Sequence, residues 1–448
     1  MNPSARQTGS GPFKPGADLT PLIDRHLPPA DRSLLRRIGR FADLKNWKVY
    51  SVGGAVRDLL LGSGDNFDLD ILVEEHGLEF ARLFARQIRG TCKLYRRFAT
   101  AMVIMRGGRR IDVTTTRGES YPRPGALPEV VPGSLEEDLR RRDFTINALA
   151  FSLNARRFGR LIDLSGGAAD LRDGIIRVLH EKSFRDDPTR IFRAVRFRQR
   201  LGFTIEPRTE ELIRTAVDLR LFEEVTPERL RHELELIFRE PDPPGAVEAM
   251  ARYDQLRFIH PELVVTRETR PFLERLGECL GWFENTFPGE PVSRWRAYFG
   301  GLIYDLPPRE LLRTAEKFNL SRRFSEQLRA ARKDEPEIRQ VLPAPADPPP
   351  SRVSSLLRGR CPEVTLILMA RLGSEERADE RFRRYLTGYR RVTGEVSGRD
   401  LADLGLPPGP AYRPILEELL AARLDGRVST REEELALARR LIDKSPGR

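Results

Sequence analysis

A small set of residues in the first quarter of the chain is suited to polyphosphate and divalent-ion chemistry. In Tyr50-Ser51-Val52-Gly53-Gly54-Ala55-Val56-Arg57-Asp58, a glycine pair separates the strand-like Lys48 to Val52 from Ala55 to Leu61, which is apolar and free of breakers. A strand handing over to a helix at that point turns backbone N–H groups outward. Gly53 and Gly54 have no Cβ to block phosphate oxygens, and Arg57, one turn on, adds a forked guanidinium. Read alone, Gly-Gly is equally a plain turn.

The next stretch, Phe67-Asp68-Leu69-Asp70-Ile71-Leu72-Val73, puts two carboxylates on one face of a strand. Asp68 and Asp70 repel each other there unless a cation sits between them, and Mg²⁺ shared with substrate phosphates meets that need. An edge strand with a solvated polar face is the alternative. A third acid, Asp112, stands between Ile111 and Val113 in another short strand. Three carboxylates on adjacent strands can hold two ions about 3.5 to 4 Å apart, which activate a hydroxyl and neutralise a leaving pyrophosphate. The chemistry this predicts is attack of a hydroxyl on the α-phosphate of a nucleoside triphosphate.

Positioning these groups calls for an α+β fold: a small mixed-sheet head followed by an all-helical neck, body and tail. Leu34 to Leu44 and His76 to Arg89 have helical apolar spacing, whereas Cys92 to Tyr95, Ala101 to Met105 and Arg110 to Thr114 read as strands. Arg117 to Ser134 carries Pro and Gly without periodicity and reads as a loop. In Arg140-Arg141-Arg142-Asp143-Phe144, a charge cluster runs straight into a buried segment, which sets guanidinium groups at a cleft floor or makes a solvated run. In Asp186-Asp187-Pro188-Thr189-Arg190, Asp187 sits where a helix N-cap belongs and Pro188 at the first helical position. Along that helix Arg190, Arg193 and Arg196 share one face, with Ile191, Ala194, Val195 and Phe197 on the other. The face can present donors and acceptors to a base edge or simply be solvated.

The 448 residues carry a formal charge of +11, so a polyanionic partner is favoured, although a solvated arginine excess gives the same composition. Cys92, Cys279 and Cys361 are too few and too far apart for a disulfide framework or a Cys-rich zinc site, and fit a reducing, cytoplasmic setting. The longest apolar run, Val364 to Ala370, is too short for a bilayer, so no membrane partner is expected. The divisions expected are a flexible leader (1–30), a mixed-sheet head bearing the acids (31–163), a helical neck (164–240), a helical body (241–342), and a Pro-rich linker with a helical tail (343–448). Ser429 and Glu432 read as a capping box in that tail. The oligomeric state is left open.

Taken together, these motifs resemble the class II tRNA nucleotidyltransferase and bacterial poly(A) polymerase family, in the right order from Val49 to Glu240. The resemblance implies that Gly53, Gly54 and Arg57 bind the triphosphate and that Asp68 and Asp70 hold Mg²⁺, with Asp112 completing the catalytic set. It implies that Arg141, Arg142 and Asp143 contact the nucleotide sugar. Asp187 and Arg190 then pair with the base of ATP or CTP as a protein template, and Arg193 and Arg196 match further nucleotide-contacting arginines. The family's Glu-Asp-x-x-Arg motif is altered here, because Asp186 replaces the leading Glu. The tail stretch Ser397 to Pro410 is similar to the end of tRNA-binding tails, which makes tRNA the expected partner. Family members add CCA, CC or A to tRNA, or poly(A) to RNA. Tyr121-Pro122 and Leu127-Pro128 resemble the CC- or A-adding versions. A catalytically inactive RNA-binding protein is the competing class.

Overall fold

The computed structural model describes residues 13–63, 69–123, 125–126, 128–373 and 375–444. Asp68 lies outside the described residues, as do residues 1–12 of the expected leader and Leu127. Eleven strands are described: β1 (Val49–Val52), β2 (Asp70–Val73), β3 (Thr91–Tyr95), β4 (Thr100–Ile104), β5 (Arg110–Thr115), β6 (Arg117–Ser120), β7 (Glu129–Pro132), β8 (Leu149–Ser152), β9 (Leu161–Asp163), β10 (Ile175–Ile176) and β11 (Thr204–Ile205). Seven of them form one sheet in the order β3-β4-β5-β2-β1-β8-β9. The β2–β5 pair is parallel and the other pairs in that sheet are antiparallel, so the head sheet is mixed as expected.

Burial explains which strands sit centrally. All four residues of β1 and of β8 are buried, so both strands have neighbours on each side and each face covered. The outer strand β3 has no fully buried residue. The first helix, α1 (Thr20–His26), and the second, α2 (Pro29–Asp43), both carry proline in their first turn, where its missing N–H costs nothing. The stripe Leu34, Leu35, Ile38, Phe41 and Ala42 buries one face of α2.

The leader expected over residues 1–30 is corrected for its described part. Gly16 donates to the Leu161 carbonyl, Leu161 to that of Ala17 and Leu19 to that of Gly159, so the chain pairs alongside β9. Leu19 and Ile23 are wholly buried and Leu27 nearly so. The spacing of four between these three residues is a helical stripe, which the surrounding Pro and Gly composition hides.

The segment read as a loop, Arg117 to Ser134, contains the antiparallel hairpin β6–β7, in register from Arg117 opposite Pro132 to Ser120 opposite Glu129. The neck is not purely helical either, because β10 and β11 form a parallel two-stranded pair. Two compact units emerge instead of four parts beyond the leader: residues up to Asp242 with Ala249–Phe258, and Pro243–Glu248 with everything from Ile259 on. Head and neck thus share one unit, which holds all the residues of the site described below.

In the second unit, Leu276, Leu280 and Trp295 are buried as core residues, whereas Phe272 and Trp282 are only partly covered. Trp282 instead lies under the Arg383 guanidinium at 4.4 Å. The proline-rich stretch 343–350 is not a free linker. Arg381, 5% exposed, donates to the carbonyls of Leu342, Ala344 and Ala346 and to Asp347, fixing the stretch by its backbone oxygens. The capping box of the last helix is shifted by one residue: Thr430 Oγ1 accepts from the Glu433 N–H and Glu433 accepts from that of Thr430. Among the described residues no helix is long and apolar enough to cross a membrane.

Candidate active site

The glycine turn ends β1 and starts α3 (Gly54–Leu60). Gly53 adopts φ +73°, a conformation that L side chains rarely adopt, and a Cβ there would also come within 2.9 Å of an Arg142 nitrogen. No side chain caps α3; the Val56 and Arg57 N–H groups turn back to the Gly53 carbonyl, which leaves those of Gly54 and Ala55 for a ligand. Arg57, 3% exposed, is fixed by Nε to Asp58 at 2.8 Å and by Nη1 to Asn147 at 2.7 Å.

A cleft of about 470 Å³ opens over this turn. Of the residues singled out in the sequence, Gly53, Gly54, Arg57, Asp70, Arg141, Arg142, Asp143, Asp187, Arg190, Arg193 and Arg196 all line it, although they come from widely separated stretches of the chain. Asp112 is not among the lining residues. It stands directly opposite Asp70 in the parallel β2–β5 register, its side chain half exposed. In all, seven arginines face four carboxylates in the cleft wall, a surplus suited to a polyanion.

The arginines are held from behind by buried acids. Asp138, 0% exposed, accepts from Arg141 at 2.6 Å and Arg142 at 3.0 Å. Asp143 accepts from the Phe144 N–H, from Asn147, and twice from Arg193 at 2.6 and 2.8 Å. Burial pushes the Asp143 carboxyl up, but the Arg193 charge and the hydrogen bonds from Asn147 and Arg193 outweigh it and pull its pKa down to about 2. Arg193 and Arg196 also approach Glu233 at 3.7 and 3.5 Å, and burial pushes that carboxyl above its usual range.

Asp143 therefore contributes stability that is fully present above its unfolded pKa of about 3.9 and is lost as pH falls through about 2. Asp143→Asn should destabilise the first unit by about 2 to 4 kcal/mol at pH 7, since it strands the Arg193 charge. Thermal melts should show the gap between wild type and variant closing between about pH 4 and pH 2. A gap that stays constant would mean that Asp143 is not the ionised partner.

The expected N-cap role of Asp187 is corrected. The helix begins three residues later, as α8 in chain order (Arg190–Leu201), with Thr189 at the N-cap position and no side-chain cap. Asp187 Oδ1 instead accepts from the Thr189 N–H and hydroxyl and from Arg229 Nη2 at 2.8 Å. No hydrogen bond among the described residues uses Oδ2. Arg190 is 5% exposed rather than solvated, and donates to Ser183 Oγ and the Arg141 carbonyl, both at 2.7 Å. Phe197, assigned from its spacing to the far side of the helix, lines the cleft.

Glu119, Asn147 and Arg200, which the sequence reading missed, also face the cleft, as do Tyr121 and Pro128, which it had tied only to the type of nucleotide addition. Glu119 receives Arg141 Nη1 at 2.7 Å and the Tyr121 hydroxyl at 2.8 Å. The alternation of Arg117, Glu119 and Tyr121 is a strand pattern that marks one face, and it was the available signal.

Comparison with known proteins places the head and the following helices in known families. The family described as "Poly A polymerase head domain" matches residues 49–177, and "Probable RNA and SrmB- binding site of polymerase A" matches 202–265. An A-adding tRNA nucleotidyltransferase of Halalkalibacterium halodurans is 30% identical, over 95% of this chain and 96% of the relative. The chain belongs to the tRNA nucleotidyltransferase family. A second family member, the A-adding enzyme of Geobacter sulfurreducens, is 42% identical over 95% of this chain, which spans about half (48%) of that relative's length. The solved Thermotoga maritima CCA-adding enzyme complexed with tRNA superposes with a TM-score of 0.78 at 35% identity, covering 95% of this chain and 99% of that one.

In this family context the acids fit a hard divalent cation. Asp70 is on the cleft wall beside the glycine turn, and Asp112 is its register neighbour. Both are short oxygen donors of the kind Mg²⁺ takes, and two like charges on facing positions are otherwise costly.

Proposed function

We propose that the chain transfers AMP from ATP to the 3′ end of tRNA, with Mg²⁺ held by Asp68 and Asp70 and with Asp112 completing the catalytic set. The observation that carries this reading is Asp187 and Arg190 facing the same cleft as Gly54, Arg57 and Asp70. An aspartate acceptor beside an arginine donor matches a base edge that carries an amine next to a ring-nitrogen acceptor. Adenine and cytosine have that order, whereas uracil and guanine reverse it. The protein therefore selects ATP or CTP without a nucleic-acid template. The choice of AMP rests on the two A-adding relatives.

In the proposed reaction the 3′ oxygen forms a bond to the α-phosphorus, the bond from that phosphorus to the bridging oxygen breaks, and pyrophosphate leaves. Mg²⁺ held by Asp68 and Asp70 would supply charge neutralisation and a lowered pKa for the attacking hydroxyl. The chain's own groups do the remaining work. The glycine turn and Arg57 orient the triphosphate, Arg141 and Arg142 face the sugar, and Asp112 favours loss of the hydroxyl proton. Asp143 holds Arg193 against the cleft wall. The acceptor arm is gripped through phosphates and shape by basic helices. The three free thiols fit a reducing compartment, the cytoplasm.

The test is product length, using labelled ATP alone, CTP alone or both, on tRNA ending before CCA, after CC, or complete. One A added to tRNA ending in CC, and nothing from CTP, is the expected result. Addition of C residues would convert the reading to CC or CCA synthesis. A ladder of A on any RNA would make the protein a poly(A) polymerase, and RNA binding without incorporation would leave only an inactive binding protein.

A further inference from the structure

Phe197 has surroundings that packing alone does not explain. The guanidinium carbons of Arg57, Arg193 and Arg196 lie 5.0, 5.5 and 5.3 Å from the centre of its ring. Arg57 comes from the glycine-turn helix and the other two from α8, so one ring joins the two elements that wall the cleft. The ring is 4% exposed, borders the cleft, and is braced edge-on by Phe144 at 5.9 Å. Three cations this close repel one another, and acids hold them from behind. Asp58 and Asn147 hold Arg57, Asp143 holds Arg193, and Arg196 lies 3.5 Å from Glu233 and 4.0 Å from Glu240. Arg196 Nε and, across the cleft, Arg142 Nε are buried donors without a hydrogen-bond partner among the described residues, and Glu233 Oε2 is a buried acceptor without one. The negative face of an aromatic ring attracts cations without consuming any N–H, so the donors stay free for an anion.

We propose that Phe197 is a positioning residue for the polyphosphate of the incoming nucleotide: its ring holds Arg57, Arg193 and Arg196 together as one anion receptor and sets affinity for phosphates without reading the base. This deepens the nucleotidyl-transfer reading and rests on it for the identity of the natural ligand. The sequence pattern gave Phe197 no such role, because its apolar character marks it as core.

The test varies the ring's electrostatics at nearly constant shape. Phenylalanine carrying one, two or three ring fluorines is installed at position 197 of the full chain, and binding of inorganic tripolyphosphate is measured by calorimetry in metal-free buffer. Affinity should fall stepwise with fluorine number, by about tenfold at three fluorines. Phe197→Met, close in volume but without a quadrupole, should fall at least as far. The ratio of kcat/KM for ATP and CTP should not move in any of them. Affinity that is flat across the fluorinated series overturns the proposal, even if Phe197→Met unfolds, because a purely packing role predicts that flatness. A shifted ATP-to-CTP ratio overturns it as well, by giving the ring a part in base choice. A graded series in a protein that transfers no nucleotide would retain the receptor and reject the proposed reaction, whereas a flat series in an active enzyme would do the reverse.

Discussion

Asp70→Asn should lower nucleotidyl transfer by about 10³-fold or more at saturating ATP, with the fold unchanged. Asparagine keeps the shape but removes the charge that would bind the ion. The loss belongs to kcat, since the glycine turn and Arg57 still receive the triphosphate. Asp70 is partly exposed at the start of β2 and directly faces Asp112 across the parallel pair. The change keeps the volume and lies at a partly exposed strand start, so the melting temperature without metal should stay close to that of wild type. Single-turnover incorporation of labelled AMP into tRNA ending in CC measures the first effect, and calorimetry the second. A variant that retains a tenth of wild-type kcat would remove Asp70 from the catalytic set.

The second large effect concerns base choice. Asp187→Ala should reduce the preference for ATP over UTP and GTP by about 10- to 100-fold in kcat/KM, the scale of a lost specific pairing with a base edge. Alanine also deletes the acceptor that holds Thr189 and Arg229, so loosening of the turn is a competing cause. Asp187→Asn separates the two. Its amide oxygen can keep Thr189 and Arg229, while its amine takes the place of Oδ2 and turns an acceptor into a donor. Preference should then move toward bases that offer a carbonyl, UTP or GTP. Full discrimination in both variants would reduce Asp187 to a turn-forming residue.

The parts of the site that could be read in the sequence are those in which chemistry and spacing coincide locally. Gly53-Gly54 with Arg57 spans one turn, and Arg141-Arg142-Asp143 is contiguous, so each survives translation into three dimensions as a unit. Glu119 and the cleft position of Tyr121 escaped because a stretch bearing four prolines and three glycines between residues 117 and 134 masks its own alternation. Phe197 escaped because an apolar residue on an amphipathic helix looks like core until a second element brings another cation over it. Arg229, more than forty residues from Asp187, meets it only through packing of the helix Pro227–Ile237. The N-cap assignment of Asp187 failed because Asp-Pro-Thr satisfies two local geometries. Here the turn closed by the Thr189 N–H was selected, and it leaves one carboxylate oxygen unused.

The strand alternation around Asp112 was enough to set it on a strand next to that of the acid pair, but the parallel register that puts it opposite Asp70, with Ile71 against Val113, comes from the fold. The all-helical reading of the neck missed β10 and β11 because two-residue strands carry no periodicity at all.

The most direct measurement is a crystal structure of the full chain with a non-hydrolysable ATP analogue and Mn²⁺, read by anomalous scattering. The anomalous peak should lie on the Asp70 carboxylate, in contact with phosphate oxygens that rest on the Gly53-Gly54 turn and Arg57. A peak remote from Asp70, or phosphates bound away from that turn, would contradict the account.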